Sequence, residues 1–464
     1  MRSAVIRFDP DLIRRYECFG PRYTSYPTAA QFRTDFTADA YRAAALASNR
    51  TQPPSPLSVY VHLPFCASPC FYCACSRLIA RGPTKPEAYL AHLEREIEVQ
   101  GELFDKKRAV RQLHLGGGTP TFLNADQLAA LLEALGRSFR MSDAADREYS
   151  VEVDPRTAGP GIIEALAAIG FNRLSFGVQD YDPKVQRAVN RMQTPEETES
   201  VIARSRAAGF HSLSIDLIYG LPLQTPQSFA VTLERVIRSR PDRIAAYAYA
   251  HLPHVFKAQR RIREGDLPSS ETRLALLGLT IEKLSEAGYE YVGMDHFALP
   301  ADELIKARDG GTLHRNFQGY STHAECDIIG LGVTSIGHVG ATYSQNLKSL
   351  ADYERTLEAG RLPVQRGLVL TDDDRVRAAA IQELMCYGRI SGGSIGQRFH
   401  VDFADYFADA LERLKPFEDD GLLQRRADMI EVTPAGRLLL RNVAMVFDAY
   451  LKPGGATPMY SRAI

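Results

Sequence analysis

Four of the seven cysteines lie within ten consecutive residues, at Cys66, Cys70, Cys73 and Cys75. The thiolate of cysteine is a ligand for zinc and for iron–sulfur clusters. Disulfide frameworks belong mainly to short chains with dispersed cysteines, whereas this chain has 464 residues and a cysteine cluster. The clustering therefore indicates a metal or redox centre in this segment.

The first three cysteines have three and then two residues between them, which brings three thiolates to one side of a tight loop. Electron-transfer clusters usually have four cysteine ligands, so a three-cysteine loop leaves one iron open to bind a small molecule. A structural zinc site built from all four cysteines is the alternative. It is disfavoured because zinc sites usually join two cysteine pairs that are distant in sequence. We expect Cys75 to lie near the centre without ligating it, on the same face as Cys73.

Other chemically distinctive residues follow short apolar runs along the chain. Six runs predict strands, at residues 57–63, 110–115, 149–153, 173–178, 212–220 and 243–250. The residues at their carboxyl ends are the cysteines, Gly116–Gly118, Glu152 with Asp154, Gln179, Asp216 and His251. The carboxyl ends of parallel strands meet at one edge of a sheet, where α/β enzymes form their active sites. We therefore expect these residues to form one site.

The segments between the runs have helical periodicity, as in residues 85–104, where Tyr89, Leu93 and Ile97 recur at helical spacing. Strands separated by helices imply βαβ units and a parallel sheet, and about 35 residues per repeat fits a barrel of such units. The predicted fold class is α/β, a partial (β/α)6 parallel-stranded barrel. An N-terminal extension and a small, mostly helical, winged-helix-like C-terminal domain complete the chain.

Changes in composition divide the chain into three parts. The segment TQPPSP, residues 51–56, predicts a linker between an N-terminal extension, residues 1–56, and the barrel, residues 57–365. The third part, residues 366–464, opens near a capping box at Thr371–Asp374 and continues to two short strands and a helix. Winged helices bind DNA in some proteins, but the net charge of −1 favours an intramolecular packing role here.

The bulk composition is that of a globular protein, with 45% hydrophobic residues, 24% charged residues and a mean hydropathy of −0.21. The near-zero net charge argues against a nucleic-acid partner. Residues 1–20 carry charges throughout and lack the apolar run of a secretory signal. No apolar run reaches the ~18 residues that a membrane-spanning helix needs. We therefore expect a cytoplasmic protein without membrane insertion and with reduced cysteines.

The cysteine spacing after a strand resembles the radical S-adenosylmethionine superfamily, as does the glycine triplet one strand later. Longer strings are similar to the oxygen-independent coproporphyrinogen III oxidases: PRYTSYPTA, YVHLPFC, GGGTPT, VEVDPR, GVQD, VNR, IDLIYGLP, YAHLP, GMDHFA, HRNFQGYST, TPAGRLLLRN and DAYL. The resemblance runs from Pro21 to Ser321 and resumes near the C-terminus, so it covers nearly the whole chain. It departs at Leu115, where the family often has tryptophan, and at Tyr72, where phenylalanine is usual.

The resemblance implies a site made of one four-iron, four-sulfur cluster and two S-adenosylmethionine molecules. The cluster ligands would be Cys66, Cys70 and Cys73. The first S-adenosylmethionine would be lined by Tyr60, Tyr72, Gly117, Glu152 and Ile336, with Phe317 and Gln318 over its adenine. The second would be lined by Gly118, Thr119, Gln179, Arg191, Asp216 and Ala250. Independently, an acidic side chain such as Glu152 at a strand terminus often accepts hydrogen bonds from ribose hydroxyls.

The implied activity is oxygen-independent oxidative decarboxylation of two propionates of coproporphyrinogen III to vinyl groups. The product would be protoporphyrinogen IX in heme biosynthesis, and the reaction would start from a 5′-deoxyadenosyl radical. The implied electron donor is a flavodoxin or ferredoxin, and we expect a monomer. The alternatives are a heme-binding chaperone of the same fold and a radical methyltransferase. Cys75 and PRYTSYPTA favour the oxidase over the chaperone, and HRNFQGY favours it over the methyltransferase.

Two residues have expected roles in the reaction itself, Cys75 and Arg22. Arg22 is the only cation of GPRYTSYPTA, residues 20–29. Arginine matches a carboxylate bidentately, and coproporphyrinogen carries four propionates, so we predict that this segment folds over the barrel mouth and that Arg22 holds a propionate. Tyr23 and Tyr26 are expected to be neighbouring hydroxyl donors in a segment that contributes little to a core. A surface strap without substrate contact is the alternative.

Overall fold

The computed structural model describes residues 6–82, 84–451 and 460 of the chain. All six predicted strands are present: β1 Leu57–Leu63, β2 Ala109–Gly117, β3 Glu148–Val153, β4 Arg173–Gln179, β5 Ser212–Tyr219 and β6 Arg243–Ala248. Each strand ends within two residues of its predicted bounds, because short apolar runs between turn signals fit buried strands. They pair in parallel in chain order, so the predicted βαβ units are confirmed.

Further strands extend the sheet at both ends. They are β7 Glu290–Gly293, β8 His296–Ala298, β9 His314–Asn316, β10 Gly319–Ser321, β11 Asp327–Leu331, β12 Ile336–Val339, β13 Thr342–Asn346 and β14 Val364–Val369. β7 and β8 continue antiparallel beyond β6, whereas β9 and β10 form a separate hairpin. β11 pairs in parallel with β1, which makes a seventh parallel strand that the sequence analysis missed.

The strand order is β7-β8-β6-β5-β4-β3-β2-β1-β11-β12-β13-β14. Within the described part of the chain, the two end strands do not pair with each other, so the sheet forms a partial barrel, as predicted. The antiparallel strands β12 and β13 follow β11 without an intervening helix. This break in the strand–helix alternation explains why β11 was missed.

Among the described residues, helices lie on the outer face of the sheet and in the N-terminal and C-terminal parts of the chain. They are α1 Pro10–Arg15, α2 Ala38–Ser48, α3 Thr84–Gly101, α4 Ala125–Ser138, α5 Ile162–Ala168, α6 Pro183–Ala188, α7 Pro195–Ala207, α8 Pro226–Ser239, α9 Ser270–Glu286, α10 Glu303–Gly310, α11 Leu350–Glu358, α12 Asp372–Tyr387, α13 Gly392–Phe399, α14 Phe403–Tyr406, α15 Ala408–Arg413, α16 Lys415–Asp419 and α17 Leu440–Met445. On α3, Tyr89, Leu93 and Ile97 are fully buried in the barrel core, as their spacing predicts. No helix among the described residues is both long and apolar enough to span a membrane.

The inner face of the parallel strands is polar. Val59 and Val61 of β1 are buried in the core that the helices share. Because side chains alternate along a strand, Tyr60 points to the opposite face. Its register neighbour in β2 is His114, whose neighbour in β3 is Ser150. The barrel therefore has an apolar outside, against the helices, and an inside lined by hydrogen-bonding side chains.

The C-terminal region has the predicted mixture of helices and short strands. β15 Arg389–Ser391, β16 Leu423–Arg426 and β17 Met429–Val432 form a sheet in the order β15-β17-β16. α12 begins at a capping box made by Thr371 and Asp374, which confirms that prediction. The division at residues 365 and 366 stays a prediction, because β14 runs across it.

The N-terminal segment is part of a hydrophobic core, and the prediction that it contributes little to one is wrong. Tyr23 and Tyr26 are 2% and 3% exposed and pack in a second cluster with residues of α12 and α17. The Tyr23 hydroxyl donates to Asp448 (2.9 Å), and the Tyr26 hydroxyl accepts from the Ala449 N–H (3.0 Å). These hydroxyls therefore attach the segment to the C-terminal region and are not free substrate donors. An irregular segment has no periodicity from which this burial could be predicted, although aromatic rings gain much from it.

Candidate active site

The cysteine loop begins two residues after β1 and is closed at its base. Phe65–Cys66 pairs in parallel with Leu78–Ile79, so the two ends of the loop lie side by side. Inside the loop, the Arg77 guanidinium donates to the carbonyl oxygens of Cys70 (3.1 Å) and Cys73 (3.0 Å). These bonds fix the backbone that carries the thiols.

Cys66 and Cys70 each have a hydrogen-bond donor at the sulfur. The Thr119 hydroxyl donates to Cys66 Sγ at 3.5 Å, although burial raises the pKa of this thiol. The guanidinium groups of Arg156 and Arg191 lie 3.7 and 3.6 Å from Cys70 Sγ. Two cations therefore place positive charge next to this candidate iron ligand.

Cys73 and Cys75 interact directly. A side-chain hydrogen bond with Cys75 lowers the pKa of Cys73 to about 6, and the same bond raises the pKa of Cys75. The Cys75 N–H also donates to Cys73 Sγ at 3.4 Å. Cys73 is therefore the thiolate of the pair, and Cys75 keeps its proton beside it, as expected for a group that does not ligate the centre.

The donor set fits a four-iron cluster. In the described residues, no group of three histidine, cysteine, aspartate or glutamate side chains is compact enough to hold a single metal ion. A four-iron cluster needs a wider arrangement, because each thiolate binds a different iron. Cys66, Cys70 and Cys73 lie in the wall of one cavity of about 450 Å³. Three thiols with polar support at one cavity are suitable ligands for such a cluster.

The glycine triplet places bare backbone against the cysteine loop. The Gly118 N–H donates to the Leu63 carbonyl at 2.8 Å. A Cβ at Gly118 would lie 2.6 Å from the Pro64 carbonyl carbon and 2.7 Å from the Phe65 carbonyl oxygen. Gly117 has a φ of +108°, which side chains disfavour. Only glycine fits here, so this wall of the cavity has no side chain in front of its backbone.

Glu152 is an ionised carboxylate at the same cavity. It accepts from the Gly117 N–H (3.1 Å) and contacts His114 Nε2 (3.2 Å). Burial acts to raise the pKa of Glu152, but the His114 and Gly117 contacts outweigh it and hold the pKa below its usual value. The Tyr60 ring stacks on His114 with centroids 5.8 Å apart and fixes its orientation. The Glu152 side chain is 44% exposed, so it can accept hydroxyl groups of a ligand.

A second carboxylate, Asp216, has a raised pKa, whereas the pKa of Glu152 is lowered. Burial and then repulsion from Glu152 raise the pKa of Asp216 to about 7, despite a 3.2 Å hydrogen bond from Ser175. Gln179, at the end of β4, has a φ of +69° where the pairing with β5 shifts register. Arg191 is held by Asp154 at 3.0 Å.

The 450 Å³ cavity, here called the cofactor cavity, collects most of the predicted site residues. Its walls include Cys66, Cys70, Tyr72, Cys73, Cys75, Gly117, Gly118, Thr119, Glu152, Gln179, Arg191 and Asp216. Tyr60 lies behind this wall, where its hydroxyl bonds to His62 Nδ1 at 3.1 Å. The chemically distinctive residues therefore meet at the carboxyl edge of the parallel strands.

Four predicted cofactor residues lie away from this wall. Ala250 lines a different, larger cavity. Ile336 lies in β12, opposite Gln345 of β13. The Phe317 ring packs edge-on against Tyr343, and Gln318 has a buried side-chain nitrogen without a partner. The contacts of these four with a cofactor stay predictions from the resemblance.

Arg22 lies in the wall of the larger cavity of about 1060 Å³. Its guanidinium forms an ion pair with Asp295 and lies 5.7 Å from the centre of the Tyr247 ring. Burial and the nearby charge of Arg315 lower the pKa of Arg22. The predicted position over the barrel mouth and the predicted contact with a propionate both stay predictions.

The sequence analysis missed three residues that contact the site: Arg77, Arg156 and His114. Arg77 stands two residues after Cys75, and a cation so close to clustered cysteines was an available signal. His114 lies on the inner face of β2, which the alternation of that strand could have shown. Arg156 reaches Cys70 across the barrel, and no local pattern in the sequence predicts such a contact.

Two family profiles match the chain. The profile of the Radical SAM superfamily matches residues 60–236, which include the cysteine loop, the glycine triplet, Glu152 and Asp216. The profile of the HemN C-terminal domain matches residues 370–439, which span α12 and the sheet of β15–β17.

Relatives match along nearly the full length. The oxygen-independent coproporphyrinogen III oxidase of Pseudomonas aeruginosa is 48% identical over 460 residues, 99% of each chain. That of Escherichia coli is 46% identical over 464 residues, 100% of each chain. The solved structure of coproporphyrinogen III oxidase (HemN) from Escherichia coli, described as a radical SAM enzyme, has a TM-score of 0.91 and covers 96% of this chain and 100% of its own. With the cysteine loop and the barrel in place, the chain belongs to the oxygen-independent coproporphyrinogen III oxidase family of the radical SAM superfamily.

Proposed function

We propose that the protein catalyses the oxygen-independent oxidative decarboxylation of coproporphyrinogen III in heme biosynthesis. Two propionates become vinyl groups, and the product is protoporphyrinogen IX. The observation that carries this proposal is one cavity shared by the three thiols of Cys66, Cys70 and Cys73, the glycine triplet and Glu152. It occurs in a chain that is 46–48% identical over its full length to oxidases of this name.

Cys66, Cys70 and Cys73 hold one four-iron, four-sulfur cluster as thiolates. The Thr119 hydroxyl at Cys66, the guanidinium groups at Cys70 and the lowered pKa of Cys73 support the assignment. The loop supplies three ligands and Cys75 keeps its proton, so one coordination position is left for S-adenosylmethionine. Arg77 positions the loop through its two carbonyl contacts.

When bound and reduced, the cluster and S-adenosylmethionine would supply a 5′-deoxyadenosyl radical that removes a hydrogen atom from the β-carbon of a propionate, after which carbon dioxide leaves and an electron acceptor takes the remaining electron. The protein binds and orients the cofactor. Glu152 accepts from the ribose hydroxyls, and His114 with Tyr60 holds its carboxylate in place. The bare backbone of Gly117 lets the methionine end approach closely.

We further propose a second S-adenosylmethionine molecule, bound by Gly118, Thr119, Gln179, Arg191, Asp216 and Ala250. Asp216 supports this assignment, since it is a second carboxylate on the inner face of the barrel. Ala250 lies in the wall of the larger cavity. A second molecule would therefore lie toward the substrate, with the first molecule nearer the cluster loop.

Cys75 and Arg22 complete the proposed machinery. The Cys75 thiol, which keeps its proton beside Cys73, can donate a hydrogen bond at the centre. Arg22 binds a substrate propionate at the barrel mouth. The loop around Ala74–Ser76 is exposed, so a small electron carrier such as flavodoxin or ferredoxin can approach the cluster there. We propose that the enzyme works as a monomer.

The test is anaerobic incubation of the reconstituted enzyme with coproporphyrinogen III, reductant and S-adenosylmethionine, followed by mass identification of the products. We expect protoporphyrinogen IX, carbon dioxide, methionine and 5′-deoxyadenosine. A methylated product with intact propionates would show a methyltransferase. Stable heme binding without any turnover of coproporphyrinogen III would show a chaperone. Either result would refute the proposal.

A further inference from the structure

The larger cavity lies between the barrel mouth and the C-terminal region. Its walls come from the ends of β5 and β6, from α9, from the N-terminal segment and from residues 437–441. Its volume of about 1060 Å³ is more than twice that of the cofactor cavity, about 450 Å³. Ligand cavities usually measure roughly 300–1,000 Å³, so this space suits a large organic molecule.

The walls of this cavity combine apolar surface with an excess of positive charge. Leu274, Leu277 and Ile281 of α9 contribute aliphatic side chains. The charged wall residues are Arg14, Arg22, Arg273, Arg437 and Arg441, against Glu17 and Asp295. A tetrapyrrole with four propionates has the matching character, an apolar ring system carrying several carboxylates.

Arg437 is the arginine of this wall that most clearly needs an anion. Among the described residues, its guanidinium has no hydrogen-bond or ion-pair partner, although its backbone N–H donates to the Thr433 carbonyl at 3.1 Å. Its guanidinium lies over Gly388, where a Cβ would be only 2.9 Å from its central carbon. Burial and the nearby charge of Arg308 lower the pKa of Arg437, so its positive charge is poorly compensated. A ligand carboxylate would restore that compensation.

A second arginine with unsatisfied donors, Arg315, lies near Arg22. Arg315 is 4% exposed, and its Nε and Nη1 have no hydrogen-bond partner. The buried His296 Nδ1 is also without a partner. Burial and Asp216 of the cofactor cavity raise the pKa of Tyr247, whereas Arg22 and Arg315 both act to lower it. Arg315 thus adds positive charge next to Arg22, although it is not itself in the wall of the larger cavity.

From these contacts we propose that the larger cavity is the tetrapyrrole site, with Arg22, beside the charge of Arg315, holding the reacting propionate and Arg437 holding a more distant carboxylate of the same ring system. Arg441 is a positioning residue, since it donates to the carbonyl oxygens of Gly20 and Pro21 and so orients Arg22. The inference rests on the proposed function and adds to it that the C-terminal region supplies part of the substrate site.

The test measures binding without turnover. Reconstituted enzyme is dialysed anaerobically against coproporphyrinogen III in the absence of S-adenosylmethionine, and bound tetrapyrrole is quantified after oxidation. We expect Arg437→Gln to weaken binding by roughly 10-fold or more, the scale of one lost charge-assisted bond. Arg437→Lys should recover part of that loss. Arg426→Gln, an exposed arginine of the same region, is the matched control and should bind like the unaltered enzyme.

A second variant tests the cavity without altering an arginine. Leu277→Trp fills space in its wall, so it should also weaken coproporphyrinogen binding while iron content and S-adenosylmethionine affinity are retained. In steady state, Arg437→Gln should raise KM with little change in kcat. Unaltered binding in both variants, or a fall in kcat at constant KM, would overturn the inference while the proposed function stands. If the unaltered enzyme neither binds nor converts coproporphyrinogen III, the proposed function itself fails.

Discussion

Charge is distributed unevenly among the side chains of the cofactor cavity. The thiols lie beside arginines, whereas Glu152 and Asp216 lie further along the inner face. Glu152 stays ionised because of His114 and Gly117, but Asp216, beside it, has a pKa of about 7. Two carboxylates in one cavity therefore differ in charge at neutral pH, and only Glu152 is a permanent acceptor for a ligand hydroxyl.

Iron content separates the cluster ligands from Cys75. The unaltered enzyme should take up about four irons per chain on anaerobic reconstitution, as the cluster type requires. Cys66→Ala/Cys70→Ala should lose this iron, because two of three ligands are gone. Cys75→Ser should retain it and lose turnover. Cys326→Ser, which removes a thiol outside the loop, is the control for general effects of cysteine loss. Iron loss in Cys75→Ser would make Cys75 a ligand.

Cofactor affinity should depend on Glu152. Glu152→Gln keeps the shape but replaces the ionised acceptor, so we expect S-adenosylmethionine binding to weaken by about 1–3 kcal/mol, the scale of a hydrogen bond to a charged group. Anaerobic calorimetry measures this, with Glu133→Gln on the exposed side of α4 as control. An unchanged affinity would remove Glu152 from the site.

The same titration tests the number of cofactor molecules. Asp216→Asn should weaken only the second of two binding events, because Asp216 makes neither the His114 nor the Gly117 contact of Glu152. A single binding event in the unaltered enzyme would contradict the proposal of two molecules.

Single residues were predictable from sequence where their spacing was itself the signal. Cys66, Cys70 and Cys73 are fixed by a short loop, and Gly117 and Gly118 by a turn after a strand. Arg156 and Arg191, which contact Cys70, are distant from it in sequence and reach it only through the closed sheet. Contacts of that kind follow from the three-dimensional arrangement and not from any local pattern.

At the scale of elements, the parallel strands were predictable because each is an apolar run followed by a turn. β11 was missed because it joins β1 from the far end of the barrel and is followed by antiparallel strands. Its addition changes the surroundings of α3. Glu96, on the buried face of this helix, accepts hydrogen bonds from the Gly332 N–H after β11 (2.7 Å), from Asn346 of β13 (2.6 Å) and from Tyr353 of α11 (2.6 Å).

This buried carboxyl group makes stability depend on pH. Burial raises the pKa of Glu96 from 4.5 to about 7, so the native state holds the proton more tightly than the unfolded state. The resulting stability is complete below pH 4.5 and is lost as the pH rises through 7, a change of about 3 kcal/mol. Glu96→Gln cannot titrate and should lack this component.

The measurement compares the unfolding free energies of the unaltered protein and Glu96→Gln from pH 4.5 to 8. The difference between the two unfolding free energies should change as the pH rises from 4.5 to about 7 and should be constant above that pH. Glu98→Gln, an exposed position on the same helix, should follow the unaltered protein at every pH. A pH-independent difference for Glu96→Gln would show that Glu96 is already ionised in the folded state at pH 4.5.

At the scale of the whole molecule, two segments far apart in sequence form one core. Tyr23 and Tyr26 pack with α12 and α17, and both hydroxyls bond to residues 448–449. Composition and motifs indicated three parts of the chain, but they could not show that the first and third pack together. That contact joins residues more than 400 positions apart.

Removing this contact should destabilise the protein without affecting the cluster. Tyr23→Phe leaves the buried Asp448 without its hydroxyl donor, so we expect a loss of about 1–3 kcal/mol in unfolding free energy. Tyr450→Phe removes a hydroxyl that is bonded to Asp374 on a half-exposed ring and should have a smaller effect. Thermal unfolding of reconstituted enzyme measures both. Equal losses of unfolding free energy in the two variants would mean that burial of the Tyr23–Asp448 hydrogen bond does not add to stability.

The joining of these two segments also sets an order for biosynthesis. The ribosome completes the cysteine loop and the seven parallel strands before it makes residues 437–448. Until those residues emerge, the N-terminal segment has no Asp448 to bond with and no α17 to pack against, so the wall that carries Arg22 cannot be assembled. Domains made first generally fold first. The nascent barrel therefore has an open mouth that gives access to the cysteine loop until residues 437–448 are in place.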